Sequence, residues 1–311
     1  MIVTVTLNTS IDRTLFIKDF AWNQTIRASQ SVIGMGGKAT DASWVLGELG
    51  YNNLALGFAA GDTGSLMQKM LQERGSMTDF VWVGGETRTN IVVISEKGKG
   101  QSTLATSGLE ISPGDVDELL AKFTAALNKS RCIIIGGSVP PDVNISIYTD
   151  MVKQARSAGI PVIFDASGPG LKAGIEGRPT VSKPNIDEIS DLYGQRVGSV
   201  AAAYRAGKDL QAKYGTTFVI TLGKEGALAV MADKAYRVPV LDIPVVSTAG
   251  AGDAVLAGIA ATLSRGKPLE DGLRLGFAAA AAVCLTPATA DCCRADVERL
   301  LPQIELIPYN G

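Results

Sequence analysis

The sequence predicts an α/β protein built on a mainly parallel sheet. Two observations carry that reading. Short, wholly apolar runs such as Cys132–Ile135 recur along the chain, separated by stretches whose apolar residues follow helical spacing. Runs without polar alternation belong to strands buried on both faces, which is the environment of a parallel sheet between helices.

Element by element, residues 1–8 read as a strand, with Ile2, Val3, Val5 and Leu7 interleaved with threonines. From Ala39 to Leu49, the residues Ala42, Val45, Leu46 and Leu49 recur with helical period. Leu54–Ala59 is a short strand and Gly64–Arg74 a helix. Ser112-Pro113 is a start signal for a helix through Leu119 and Leu127. Cys132–Ile135 runs into Gly136-Gly137, Ile160–Phe164 into Asp165, Thr180–Ser182 into Lys183-Pro184-Asn185, and Phe218–Thr221 into Leu222-Gly223. Two stretches interrupt the alternation. Residues 11–33 are strand-like and irregular, and residues 87–106 read as a hairpin: Thr89–Ser95, a turn at 97–100, then Gln101–Thr106. They form either a small separate sheet over the main body or plain surface hairpins.

Composition narrows the function. The chain has 311 residues, 46% hydrophobic and 19% charged, which fits an ordinary globular core. A net charge of −2 without like-charge runs argues against nucleic acid and against a polybasic membrane anchor. The first residues lack the basic and apolar regions of a signal peptide, and the most apolar run, Gly276–Leu285, is too short for a bilayer. A cytoplasmic protein is expected. The four cysteines show no CxxC spacing and read as reduced structural thiols. Histidine is absent, so Ser-His-Asp, Cys-His and His-metal chemistry are excluded. A general base must be Asp, Glu, Lys, Tyr or Cys.

In a parallel sheet, ligands bind outside the carboxyl ends of the strands. Asn8, Gly136-Gly137-Ser138, Asp165, Lys183-Pro184-Asn185 and Thr221-Leu222-Gly223 all follow apolar strands and are expected along one edge. The sharpest motif is Gly250-Ala251-Gly252-Asp253, which precedes an apolar helical run, Val255 to Leu263. Its glycines let backbone N–H groups turn toward a ligand, and a helix start adds about half a positive charge. Together they suit phosphate. Asp253 is either an acid complementing the helix dipole or the group that takes the proton of an attacking hydroxyl. Gly34-Met35-Gly36-Gly37-Lys38 also precedes a helix and suits an anionic or hydroxyl-rich ligand. Asn185 and Glu188 have the spacing of a capping box.

Taken in order, these motifs resemble the ribokinase-like, PfkB-type carbohydrate kinases, essentially end to end, and within them the 1-phosphofructokinase and tagatose-6-phosphate kinase branch. Thr4 to Asp12 resembles the TxNPSID start, and Gly36-Gly37-Lys38 the beginning of GGKGxN. Thr87-Arg88-Thr89-Asn90 is similar to TRxN, and Gly137-Ser138-Val139-Pro140 to GSLP. Asp165 to Gly168 resembles DxSG, Lys183-Pro184-Asn185 with Glu188 resembles KPNxxE, and Gly250 to Asp253 matches GAGD.

The resemblance implies one three-layer α/β/α kinase domain over residues 1–311, with a small β lid from the insertions at 11–33 and 87–106. It implies ATP and Mg²⁺, and transfer of the γ-phosphoryl group to a ketohexose phosphate of the fructose 1-phosphate or tagatose 6-phosphate type. Asp253 would be the base, with the Gly250-Ala251-Gly252 backbone holding the developing negative charge. Asp12, Gly36, Gly37, Lys38, Asn90 and Ser138 would face the sugar, with Arg27 and Arg88 for its phosphate. Lys183, Thr221, Gly223 and Gly226 would line the nucleotide site. Asn185 and Glu188 would place Mg²⁺ through water. Exposed lid strands offer a surface for a homodimer.

Several positions depart from the pattern. Asp41 stands where the family has asparagine, and it is counted with the substrate-binding residues. Ala39 replaces a glycine, Thr9 a proline, Ala254 a serine, and Val92 a lysine. An ionised Asp41 cannot donate a hydrogen bond. A kinase for an unphosphorylated sugar or a nucleoside is therefore a second reading, and a catalytically silent phosphosugar sensor a third. A Rossmann dehydrogenase is rejected, because Gly34 to Gly37 lacks GxGxxG spacing.

Overall fold

The computed structural model describes residues 1–98 and 100–311. Lys99, within the turn expected at 97–100, lies outside the described residues.

The chain opens with β1 (Ile2–Thr6), β2 (Ser10–Ile17), β3 (Gln30–Gly36), α1 (Lys38–Glu48), β4 (Asn53–Ala59) and α2 (Gly61–Glu73). The short strands β5 (Met77–Thr78), β6 (Val81–Trp82) and β7 (Gly84–Gly85) lead to the hairpin β8 (Arg88–Ser95) and β9 (Gln101–Leu104). After β10 (Leu109–Glu110), strands and helices alternate: α3 (Pro113–Leu127), β11 (Cys132–Gly136), α4 (Ile147–Ser157), β12 (Val162–Asp165), α5 (Gly168–Glu176), β13 (Val181–Ser182) and α6 (Ile186–Tyr193). Then come α7 (Val200–Tyr214), β14 (Thr217–Thr221), β15 (Ala227–Val230) and β16 (Ala235–Val238). The chain closes with α8 (Ala251–Leu263), α9 (Leu269–Cys284), α10 (Arg294–Leu300) and β17 (Ile307–Pro308).

The main sheet has the order β17-β16-β15-β14-β13-β12-β11-β1-β4-β5, with β6 also on β4. From β14 through β5 every pairing is parallel, and β15, β16 and β17 add on antiparallel. Period-two alternation sends neighbouring residues to opposite faces. Ile133 and Ile135 join one core with Leu119 and Phe123 of α3, Met151 of α4 and Leu210 of α7. Cys132 and Ile134 join the other, with Leu46 of α1, Leu256 of α8 and Leu273 of α9. Sheet between two helical layers is the α/β/α architecture expected of the sequence.

The two interrupting stretches pair with each other. They form a separate four-stranded sheet of order β3-β2-β8-β9, with β2 and β8 parallel and the outer pairs antiparallel. Its inner side packs Phe16, Val92 and Ile94 against Ala249. Gln101 accepts from the N–H and hydroxyl of Thr248 at 3.3 and 3.1 Å. The small sheet thus rests on the chain that leads into α8. Among the described residues, no helix is long and apolar enough to cross a membrane.

Candidate active site

The parallel strands end together, so the residues that follow them converge. Asn8, after β1, donates to Ser138, after β11, at 3.0 Å. Thr221 closes β14 and pairs with Asn185. Gly223 and Gly226 bound the turn between β14 and β15.

Asp165, at the end of β12, is the charge centre of this edge. Its Oδ1 lies 2.7 Å from Lys38 Nζ and its Oδ2 2.9 Å from Lys183 Nζ. Burial pushes the Asp165 carboxyl up, but Lys183 and Lys38 outweigh burial and hold it below the usual carboxylate range. Lys38 is disfavoured by burial, yet Asp165, Asp253 and Glu188 together keep it charged. One buried carboxylate therefore fixes two ammonium groups, one from the first residue of α1 and one from the segment before α6.

Those cations face the start of α8. Gly250 caps that helix with φ 79°, and a side chain there would meet Ala290 N at 2.3 Å, so only glycine fits. No side chain caps α8; the N–H of Ala251 turns to the carbonyl of Thr248 at 3.3 Å and that of Asp253 to Gly250 at 3.0 Å, which leaves the N–H of Gly252 for a ligand. Asp253 sits in that first turn. Burial pushes its carboxyl up to about 7; Asp165 adds to the rise, while Lys38, Lys183 and a hydrogen bond with Asp41 oppose it. A carboxylate poised near neutrality at a helix start has the properties of a general base beside an anion site.

Asp12 of β2 contributes a further buried carboxyl group. Asn90 of β8 donates to its Oδ1 at 2.9 Å and Thr289 to its Oδ2 at 3.0 Å. Asn90 also donates to Ser10 at 3.0 Å. Gly36 admits this arrangement, since a Cβ there would stand 2.5 Å from Asp12 Oδ1. Burial raises the Asp12 carboxyl, against the two hydrogen bonds and the charge of Arg88. Asp41, on α1, is 4% exposed.

Arg88 reaches the site's rim, where its guanidinium donates to the carbonyls of Asn8 at 2.9 Å and Thr106 at 3.2 Å. Arg27 stands exposed between β2 and β3, and no hydrogen bond or ion pair ties it to the cluster among the described residues. Asn185 and Glu188 do form a capping box: Asn185 Oδ1 accepts from the N–H groups of Asp187 and Glu188, and Glu188 Oε2 accepts from the N–H of Asn185. Glu188 Oε1 points to Lys38, 3.8 Å away.

Sequence reasoning noted Asp165 as a strand-end residue and as the start of a DxSG-like motif, but gave it no role in the site, although its place directly after an apolar run was the available signal. It missed Thr289 and Gln101. Thr289 lies 277 residues from the Asp12 it orients, and nothing local to it marks that contact.

A glycine-bounded helix start, an acid within it and two cations facing that acid are the parts that phosphoryl transfer uses. Comparison with known proteins agrees. The pattern of the pfkB family carbohydrate kinases matches residues 3–296. A 1-phosphofructokinase of Borreliella burgdorferi is 32% identical over 309 residues, covering 98% of each chain. A tagatose-6-phosphate kinase of Staphylococcus epidermidis is 33% identical over 267 residues, covering 85% of each. The tetrameric inhibited form of phosphofructokinase-2 from Escherichia coli superposes with a TM-score of 0.87 at 25% identity, over 97% of this chain and 98% of that one. The chain belongs to the pfkB family of carbohydrate kinases.

Proposed function

We propose that this kinase transfers the γ-phosphoryl group of MgATP to a hydroxyl of a ketohexose phosphate of the fructose 1-phosphate or tagatose 6-phosphate type. The observation that carries the reading is Asp253, raised to about 7 at the uncapped start of α8 and faced by Lys38 and Lys183. Asp253 takes the hydroxyl proton as the oxygen attacks phosphorus. The N–H of Gly252 stabilises charge on the phosphoryl oxygens. Lys38 and Lys183, held by Asp165, add positive charge on the two sides of the transfer. Asp12, fixed by Asn90 and Thr289, accepts from sugar hydroxyls, and Arg88 stands at the rim for the sugar's phosphate.

Asn185 and Glu188 fit a role toward Mg²⁺ through water. Their capping bonds occupy Asn185 Oδ1 and Glu188 Oε2, while Glu188 Oε1 lies 3.8 Å from Lys38 and takes part in no hydrogen bond of the capping box. No cluster of acidic, Cys or His side chains forms a dedicated metal cage among the described residues, as suits an ion held chiefly by nucleotide phosphates. Held there, Mg²⁺ would supply positive charge toward the nucleotide phosphates. Thr221, Gly223 and Gly226 line the nucleotide's side. The small sheet, with residues 11–33 and 87–106, acts as a lid that excludes water from the transfer. Its edge strand β9 is exposed at all four residues and offers a pairing surface for a second copy.

A second reading has its own observation. Asp12 and Asp41 line the acceptor side with carboxyl groups, while Arg88 is engaged with backbone carbonyls. That lining suits a neutral sugar or nucleoside. An ADP-release screen over fructose 1-phosphate, fructose 6-phosphate, tagatose 6-phosphate, free hexoses and nucleosides separates the two. Turnover confined to the unphosphorylated acceptors contradicts the proposal.

A further inference from the structure

Thr289 and Ala290 are neighbours in the turn between α9 and α10, and they touch two separate parts of the site. Thr289 donates to Asp12 Oδ2 at 3.0 Å. The N–H of Ala290 donates to the carbonyl of Ala249 at 3.0 Å, directly before the Gly250 that caps α8. Ala290 is buried and holds φ 54°, a left-handed backbone that a residue other than glycine keeps only when its surroundings impose it. The next residue supplies a restraint. Asp291 Oδ1 lies 2.7 Å from Arg74 Nη1, and the Asp291 carbonyl accepts from Thr286 at 2.8 Å. Arg74 stands at the end of α2, and its Nε lies 3.3 Å from Glu48 Oε2, at the end of α1. Its Cζ stands over the Trp44 ring of α1, 4.0 Å from the centroid. Glu48 Oε1 also accepts from the N–H of Arg294, where α10 begins. Among the described residues, no hydrogen bond or ion pair of Arg74 reaches Asp12, Lys38, Asp165 or Asp253.

We propose that Arg74 is a positioning residue for phosphoryl transfer: by gripping Asp291 it holds the turn that keeps Thr289 on Asp12 and Ala290 on the chain entering α8. The inference deepens the proposed function and rests on its reading of Asp12 as a group facing the acceptor. The turn packs on two glycines from different elements. A Cβ on Gly34 would stand 2.7 Å from Thr289 N, and one on Gly250 2.3 Å from Ala290 N. Those glycines let the turn approach, but they have no side chain to interlock with it. The Arg74 guanidinium does interlock, because its fork meets two carboxylates and its face lies on an indole. With Arg74 20% exposed and Asp291 32%, the pair is partly shielded from water. Once it is cut, the left-handed Ala290 is free to relax, and Thr289 moves with it because the two are adjacent. The helix that anchors the grip, α1, also presents Lys38 as its first residue, so the cation and the turn share one support.

Two variants cut the link from opposite sides. Asp291→Ala frees the turn and leaves Arg74 on Glu48 and Trp44. Arg74→Met frees it as well and keeps an apolar stem over Trp44. Should Arg74→Met fail to fold, Asp291→Ala still decides. The first readout needs no turnover: amide hydrogen exchange of the ligand-free protein, read by mass spectrometry on peptides spanning 286–292. Each variant should lose about fivefold protection there, relative to peptides from β11. The second readout is the KM for the acceptor found in the ADP-release screen. Each variant should raise it about fivefold, the worth of one ordinary hydrogen bond. A merely structural role lowers the amount of folded enzyme, and with it the apparent kcat, but leaves that KM where it was. Because Arg74 acts on the acceptor through Thr289, adding Asp291→Ala to Thr289→Val should raise the KM less than about twofold further. Unchanged exchange at 286–292 overturns the inference. So does an acceptor KM that stays at the wild-type value in Asp291→Ala while Thr289→Val raises it, or a full fivefold rise on top of Thr289→Val. If Thr289→Val itself leaves the KM unchanged, the reading of Asp12 falls instead, and the exchange result alone decides whether Arg74 holds the turn.

Discussion

Replacing Asp165 with asparagine removes the one charge that holds both Lys38 and Lys183. The lost contacts are 2.7 and 2.9 Å long, with Asp165 1% exposed, Lys183 6% and Lys38 30%. Breaking a buried ion pair by deleting one partner costs roughly 3–5 kcal/mol. The Lys38 share is discounted because water reaches it, giving about 3 kcal/mol in all. For a chain of this size that lowers the melting temperature by roughly 6 °C. The loss depends on pH. The Asp165 carboxyl is depressed in the fold, so its contribution is complete above the unfolded value of about 3.9 and disappears as pH falls through the folded value. Wild type and variant therefore converge in stability in strong acid. The same substitution acts on Asp253. Asp165 raises the Asp253 carboxyl, so its removal lowers the acid limb of kcat/KM from about 7. Thermal melts across pH and a pH–rate profile measure both effects. A melting temperature within about 1 °C of wild type at neutral pH, or an acid limb that moves upward, refutes the reasoning.

Other outcomes follow from the same geometry. Gly250→Ala forces a side chain onto Ala290 and a positive φ onto alanine; it should cost at least about 1–2 kcal/mol and weaken ATP binding, read by denaturant titration and calorimetry. Thr289→Val removes one of two donors to Asp12 and should raise the KM for the sugar about 5–10-fold, with the KM for ATP little changed. Asp253→Asn should stabilise the fold at alkaline pH. A carboxyl raised to about 7 loses stability as pH climbs from about 4 through 7, and the amide does not, a difference on the order of 4 kcal/mol by denaturant titration. Arg88→Ala should raise the KM for a phosphosugar at least ~10-fold and leave a neutral sugar's unchanged, if the phosphate binds at that rim.

The central body was legible because its signals are local. Apolar runs such as Cys132–Ile135 are strands on both physical and compositional grounds, and the turns that follow them must end at one edge once the strands are parallel. Boundaries moved by a few residues: the helix expected from Gly64 starts at Gly61, and the strand expected to Thr106 ends at Leu104. The glycine motif before α8 was also readable, because the φ of Gly250 excludes other residues. What joins distant segments was not readable. The bond of Thr289 to Asp12, the contact of Gln101 with Thr248 and the pairing of two lysines on Asp165 all depend on the sheet's closure. No local pattern encodes them. Asp41 was visible as a departure, but not that the fold buries its carboxyl group.

The most direct test is a single-turnover experiment on Asp253→Asn with [γ-³²P]ATP and the acceptor found in the screen. The variant should bind nucleotide as wild type does and form labelled product at least ~10²-fold more slowly. Label transferred at an unaltered rate would show that the hydroxyl gives up its proton elsewhere, and that the acid at the head of α8 is there only for the helix.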